Sequence, residues 1–250
     1  MKIKTSIIII NWNTENLIRN CINSILENTE YFEIIVVDNG STDGSVEYLN
    51  SLTNIENFKI LFNKQNAGFS KANNQGAEIA QGKFLCFLNS DTIVKKGWLN
   101  DLYSVFQHIS NCGAAGPLGN PAGKIKIQNL YFTYPQFKGQ YDKITKVDIL
   151  SGFCILLSKI IFIEIGGWDE DFLIGNFEDT LLSLKIRFIL NKNLAVSPTS
   201  DVSHLRPSST FLKNNIDIQA SYIKNKEIFL QKLKQLNIYE KSKKVLPQIL

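Results

Sequence analysis

Four short apolar runs constrain this chain more than anything else in it, because each is followed by a polar turn and then by a helix-like stretch. Residues 5–10 are β-branched and read as a buried strand. Glu33-Ile-Ile-Val-Val-Asp38, Phe58–Phe62 and Phe84–Leu88 read the same way. Between them, Thr14 is set to cap a helix whose stripe is Leu17, Ile18, Cys21, Ile22, Ile25 and Leu26. Ser45–Leu52, Ser70–Ala80 and Trp98–Ile109 supply further helices. Strands alternating with helices predict an α/β chain with a parallel sheet covered on both faces. Right-handed crossovers then bring the carboxyl ends of the strands to one rim. Asn11, Asp38, the loop Asn63–Gly68 and Asp91 should all face one crevice there.

The fourth run carries the clearest chemistry. After Leu88 the chain turns abruptly polar, Asn89-Ser90-Asp91-Thr92. A carboxylate at the carboxyl end of a buried strand lies where open α/β sheets bind ligands. Mg²⁺ or Mn²⁺ takes carboxylate oxygens and completes its shell with phosphate and water. Asp91 is therefore expected to hold a metal against a nucleotide diphosphate, although Asn, Ser and Asp also simply form turns. No G-x-G-x-x-G follows the first strand, where Asn11-Trp12-Asn13-Thr14-Glu15 stands instead, and no P-loop is present. Lacking a glycine cradle, the phosphates need a metal as counter-charge. Asp38 can accept from a base or ribose, or cap the turn Asn39–Gly44.

Composition sets the bounds. The chain has 250 residues, 44% of them hydrophobic and 20% charged, as in a globular α/β protein. No stretch approaches about 18 consecutive apolar residues, and Ser6–Ile10 is too short for a signal peptide, so a cytoplasmic chain is expected. Cys21, Cys86, Cys112 and Cys154 are widely spaced, which argues against a disulfide framework or a zinc site. Residues 213–250 carry eight lysines against three acids. Ile223, Phe229, Leu230, Leu233 and Leu236 recur there at helical spacings. That tail reads as a helix packed on the domain with its lysines in solvent, or as an amphipathic helix in peripheral contact with an anionic membrane. No nucleic-acid motif accompanies it.

Six blocks, in order, carry a resemblance. They are Ser6-Ile-Ile-Ile-Ile-Asn-Trp-Asn13, Val36-Val-Asp-Asn-Gly-Ser-Thr-Asp-Gly-Ser45, Asn66-Ala-Gly-Phe-Ser-Lys-Ala-Asn-Asn-Gln-Gly76, Leu88-Asn-Ser-Asp-Thr92, Gly166-Gly-Trp-Asp-Glu-Asp-Phe172 and Phe177-Glu-Asp-Thr180. Together they resemble the inverting glycosyltransferases of family 2, over residues 5–210. The resemblance implies the GT-A fold: a Rossmann-like, mostly parallel sheet over residues 1–211, with a donor half to about 118, an acceptor half from 119, and a helical extension over 212–250. It also implies roles. Asp38 binds the base or ribose, with the backbone around Ile10 to Asn13, Asn11 and Asn13 included, lining the same pocket. Asn66, Gly68, Lys71 and Asn73 fall beside the nucleotide, though Lys71 also reads as a solvated helix residue. Asp91 coordinates Mn²⁺ or Mg²⁺, with Asn89 and Ser90 beside the donor.

Family members often carry Asp-x-Asp, where this chain has Asn89-Ser90-Asp91. The missing charge calls for another ligand. His204, in the β-like Asp201-Val-Ser-His204, is the candidate, and a neutral imidazole suits Mn²⁺. Arg206 could meet a phosphate. Asp179 is expected to be the general base that deprotonates the acceptor, with Glu178 orienting it; both acids also suit the first turn of a helix. A further acid common two residues after the pair is here Leu181. Trp168 and Asp169 stand on a loop hinged at Gly166-Gly167, where the indole could stack on a sugar or anchor the loop. The stretch Gly119–Lys146, long and without periodicity, reads as a binding loop that shapes acceptor selectivity. The expected reaction moves a sugar from a nucleotide diphosphate donor, UDP or dTDP favoured by a likeness to the rhamnosyltransferase branch, to a glycan, lipid-linked or protein acceptor. A nucleotidyltransferase and a non-catalytic nucleotide-sugar-binding scaffold are the alternatives.

Overall fold

The computed structural model describes residues 4–118, 125–127, 130–132, 142–172, 175–204 and 218–247. Arg206 and most of the Gly119–Lys146 stretch lie outside them. Within that stretch the described residues are β7 (Ile125–Ile127) and β8 (Leu130–Phe132), a short antiparallel pair, and residues 142–146.

The alternation seen in the sequence builds one half of an eight-stranded sheet. The strands β1 (Thr5–Asn11), β2 (Phe32–Asp38), β3 (Phe58–Phe62) and β4 (Phe84–Asn89) lie parallel in the order β3-β2-β1-β4. Helices α1 (Glu15–Asn28), α2 (Ser45–Ser51) and α3 (Phe69–Glu78) make the crossovers. The other half adds α4 (Trp98–His108), β6 (Cys112–Pro117), β9 (Thr145–Val147), β10 (Cys154–Ser158), α5 (Lys159–Glu164), α6 (Glu178–Phe188) and β11 (Asn193–Ser197). The sheet continues β4-β10-β6-β11-β9, with β10 and β9 antiparallel to their neighbours. A separate antiparallel pair joins β5 (Thr92–Val94) to β12 (Val202–His204). The sheet is therefore mostly parallel, as expected. The antiparallel insertion of β10 could not be seen in strand–helix alternation, which carries no direction for a strand arriving from a long loop.

The two faces of the sheet follow from the two-residue period of a strand. Ile7 and Ile9 point to one side with Ile34, Val36, Cys86 and Leu88, under α1 and α4. Ile8 points to the other with Ile35, Leu85, Phe87, Ile155 and Leu157, under α3, α5 and α6. All are buried, which explains why these strands read as continuous apolar runs rather than alternating ones. Cys86 and Cys154 are free thiols within this core. Near the amino end of β2, buried Glu33 meets Lys59 Nζ at 2.7 Å and accepts from the Ser6 hydroxyl and the Gln81 N–H.

The carboxyl-terminal helices α7 (Ile218–Gln235) and α8 (Tyr239–Val245) form a third apolar cluster with α6. Phe229 and Leu233 are buried against Phe177, Leu181 and Leu184, while Lys224, Lys234, Lys241, Lys243 and Lys244 stand exposed. The packing expected of the tail is seen at Phe229 and Leu233 of its apolar stripe, whereas Ile223 of the same stripe is exposed. No helix among the described residues is long and apolar enough to cross a membrane.

Candidate active site

The carboxyl ends of the parallel strands share one rim. Asn11 registers with Asp38, Asp38 with Phe62, and Ile10 with Asn89. A dense polar network covers that rim. Asp38 is 1% exposed; its Oδ2 accepts from Asn11 Nδ2 at 2.8 Å and from the Ser41 hydroxyl at 2.7 Å, and its Oδ1 from the Ser41 N–H. Asn11 Oδ1 accepts from the Thr14 hydroxyl at 2.6 Å. Asn39 donates to Asn66 Oδ1 and to the Gly68 carbonyl, and Asn63 donates to Asn39. Asn66 Oδ1 also accepts from the Gly68 N–H, which shapes the turn entering α3.

Several expectations change here. Asn11 is fully buried and its amide is consumed by Asp38, Ser41 and Thr14, so it braces the rim and its side chain does not line the pocket. Thr14 spends its hydroxyl on Asn11 rather than capping α1; the first N–H of that helix, on Glu15, is taken by Asp43 Oδ2 at 3.0 Å. Asn73 is buried and donates back to the Phe69 carbonyl within α3. Lys71 is exposed on the same helix. Asn13 remains at the rim in a left-handed conformation (φ 53°), with its Oδ1 accepting from the Thr42 N–H.

At the end of β4 the chain brings Asp91 and His204 together, with His204 Nε2 3.0 Å from Asp91 Oδ1. The β5–β12 pairing does this, since it registers His204 opposite Thr92. Asn89 Nδ2 lies 3.5 Å from the same imidazole nitrogen, and the Ser90 and Thr14 hydroxyls are 3.2 Å apart. One carboxylate and one imidazole at a crevice make a donor set that fits Mn²⁺ or Mg²⁺. Among the described residues no cluster of three or more His, Cys, Asp or Glu is present. Among the described residues, Asp91 and His204 are the donors such a cation would meet first.

The acid pair opens α6, as the sequence suggests. Asp179 is buried; its Oδ2 accepts from the Gly152 N–H at 2.9 Å and its Oδ1 from the Thr180 N–H at 2.6 Å. Glu178 Oε2 is buried with no donor among the described residues. Burial, and then the neighbouring Asp179 charge, push the Glu178 carboxyl up to about 8. Burial also raises Asp179, while the Gly152 and Thr180 donors hold it down in part. The two titrate as a pair. Asp179, with its donors and the helix amino terminus, is the member that ionises first, and Glu178 keeps the proton.

Two consecutive residues that sequence reasoning passed over join the two halves. The Gly152 N–H holds Asp179, while the Phe153 carbonyl accepts from the Asn89 N–H at 2.9 Å and the Phe153 ring stacks on His204 with centroids 5.0 Å apart. A Cβ on Gly152 would stand 3.2 Å from the Asp179 Cβ, a tight approach that would press on the acid. The signal available in the sequence was a Ser-Gly-Phe just before the apolar run Cys154–Leu157.

Trp168 is corrected to a core residue. It is 1% exposed, with its ring edge-on to Phe69 and Phe87, which leaves no face for a sugar. Asn74 of α3 pins its loop from both sides, donating to the Trp168 carbonyl and accepting from the Trp168 N–H at 3.0 Å. Gly167, at φ 69°, would bring a Cβ within 2.8 Å of Asn74 Oδ1. Asp169 is paired with Lys232 of α7 at 2.9 Å, so its charge serves the loop's attachment. Leu181, where an acid was looked for, is fully buried in the cluster beneath α7.

The model of the family described as "Glycosyl transferase family 2" matches residues 6–166. The chain is 28% identical over 169 residues to the glycosyltransferase GlyG of Streptococcus pneumoniae serotype 4, covering 65% of this chain and 50% of that one. It is 33% identical over 101 residues to GlyA of the same organism, covering 40% of this chain and 14% of that one. The chain thus spans half or less of the length of these relatives. A crystal structure of GalNAc-T7 with UDP, GalNAc and Mn²⁺ superposes with a TM-score of 0.68 at 19% identity, covering 82% of this chain and 44% of that one. At that identity the likeness speaks to the fold, and the fold is GT-A.

Proposed function

The chain belongs to glycosyl transferase family 2, and from that premise we propose that it transfers one sugar from a nucleotide diphosphate donor to an acceptor hydroxyl, with inversion. The donor would lie along the rim of β1–β4, its base and ribose beside Asn13, Ser41 and Asp38. Asp38 would reach the nucleotide by releasing Ser41. Asn66, Gly68 and Ser90 would line the path to the diphosphate, with Asn89 toward the sugar. Asp91 and His204 would hold a divalent cation, which supplies Lewis-acid stabilisation of the charge on the leaving diphosphate. One carboxylate and one imidazole are compatible with manganese, the ion with which GalNAc-T7, a protein of the same fold, was crystallised.

Asp179 accepts the proton of the acceptor hydroxyl as that oxygen attacks the anomeric carbon. Its carboxylate keeps lone pairs beyond those used by Gly152 and Thr180. Glu178, holding its own proton near neutral pH, orients the acceptor without competing for that proton. Inversion requires the base and the leaving group on opposite faces of the sugar. The observation that carries the reading is the Gly152-Phe153 link, which fixes one acid site against the other from separate segments. Sugar transfer fits the relatives' names, both glycosyltransferases, and polysaccharide or glycoconjugate synthesis is the setting proposed for it.

The test is thermal stabilisation by UDP, dTDP, GDP and CDP, each with Mn²⁺ and with EDTA. Stabilisation by one nucleotide, only with metal, is expected. Indifference to all four overturns the reading.

A further inference from the structure

The turn that delivers the acid pair is strained, and the residues that hold it come from far away in the chain. Gly175, Asn176 and Phe177 are consecutive and all left-handed, at φ 53°, 75° and 73°. A β-carbon disfavours that conformation, and a phenylalanine does not adopt it unaided. Such backbone persists only where its surroundings over-determine it, and it clusters at functional sites. Here the surroundings are α7. Asn225, 3% exposed, donates its amide to the Gly175 and Asn176 carbonyls. Phe177 stacks on Phe229 with centroids 5.0 Å apart, and the Tyr222 ring lies tilted against it at the same distance. A second anchor lies two turns along the helix, where Lys232 meets both Asp169 and Asp171. Those carboxylates outweigh the effect of burial and hold the Lys232 ammonium above its ordinary range.

We propose that α7 is a positioning element of the acceptor side, with Asn225 as the positioning residue that holds the left-handed turn 175–177 and so aims Glu178 and Asp179 into the crevice. This rests on the reading of Asp179 as the base. It gives the carboxyl-terminal extension a part in turnover without contact with substrate. The hydrogen bonds of Asn225 and the ion pairs of Lys232 go to residues 169–176 and not to β1–β4 or the turn 89–92. A shift of about an ångström in a positioned base is enough to cost a large rate factor.

The test compares the full chain with Asn225→Ala and the milder Asn225→Ser. Amide exchange of residues 175–184 and 5–62 is followed by mass spectrometry, with UDP and Mn²⁺ binding by calorimetry and turnover of a panel of UDP- and dTDP-sugars. Expected in both variants are at least about tenfold faster exchange in 175–184, unchanged exchange in 5–62, UDP affinity within about twofold, and kcat lowered at least about tenfold at a steady donor KM. Unchanged exchange in 175–184 overturns the proposal. Loss of protection across 5–62 as well overturns it in favour of a general requirement for folding. Faster exchange with full turnover overturns it in favour of a purely structural strap. If the wild-type chain turns over no sugar donor, the functional reading fails, while the exchange result still decides whether α7 holds the turn.

Discussion

The rim proposed for the donor and the turn proposed for the acceptor side are built on opposite principles. The rim of β1–β4 is made by four parallel strands whose ends fall in register, and a network of buried amides and hydroxyls finishes it from nearby residues. The turn before α6 is left-handed over three residues and is held by α7, while Gly152 holds the Asp179 carboxylate that follows it. The two regions also bury their carboxyls differently. Glu33, behind the donor rim, has Lys59, Ser6 and the Gln81 N–H around it. Glu178, on the acceptor side, has a buried oxygen with no described donor. Regular pairing makes a rigid platform, whereas a strained turn with an under-satisfied acid is where reactivity is stored.

The largest effect should come from the acceptor side. Asp179→Asn is expected to lower turnover about 10²–10⁴-fold, measured as sugar transfer at saturating donor. A near-normal rate would remove the base from the account and with it the contrast between the halves.

Glu33→Gln should be the larger stability loss, about 2–3 kcal/mol by denaturant unfolding, because Lys59 would face a neutral partner. Its pH dependence follows in sign. Burial alone would raise this carboxyl, but Lys59, Ser6 and Gln81 hold it below its usual range. Its contribution is therefore complete above the unfolded carboxyl value of 4.5 and is lost as pH falls through the lower folded one. Wild type should lose more stability than Glu33→Gln on acidification below that value.

Glu178 should behave in the opposite sense. Its folded pKa is raised from 4.5 to about 8, so the folded state is favoured below the lower value and loses that advantage as pH rises through the higher one. Without metal or nucleotide, Glu178→Gln should melt about 2–4 °C above wild type at pH 8.5, the equivalent of about 1 kcal/mol, and the gap should close toward pH 5. A gap independent of pH would show that the acid is not held protonated by its burial.

Lys232→Ala should do least, about 0.5–1 kcal/mol, because the pair it breaks is partly exposed. The comparison sharpens if its effect on exchange is confined to residues 166–177.

These contrasts also explain what could be read from the sequence. Phe58–Phe62 was found to the residue, and β1, β2 and β4 to within one, because strands buried on both faces need unbroken apolar runs. The acids at strand ends were legible for the same reason, as was His204 in a short strand. Thr14 and Asn11 were read by local rules, capping and exposure at a strand end, and a hydrogen bond between the two overrode both. Trp168 could have been core or sugar platform, and only Phe69 and Phe87, about 99 and 81 residues earlier, decide it. The Gly152-Phe153 link and the hold of Asn225 on residues 175–176 are contacts across long separations. No periodicity records them.

The most direct test of the account is calorimetric titration of UDP, dTDP, GDP and CDP with Mn²⁺ into wild type, Asp91→Asn and Asp179→Asn. The account predicts that the nucleotide bound by wild type binds Asp179→Asn within about twofold and Asp91→Asn at least about tenfold more weakly. Equal weakening in both variants would contradict it, because donor and acceptor chemistry would then not be divided between the two sites.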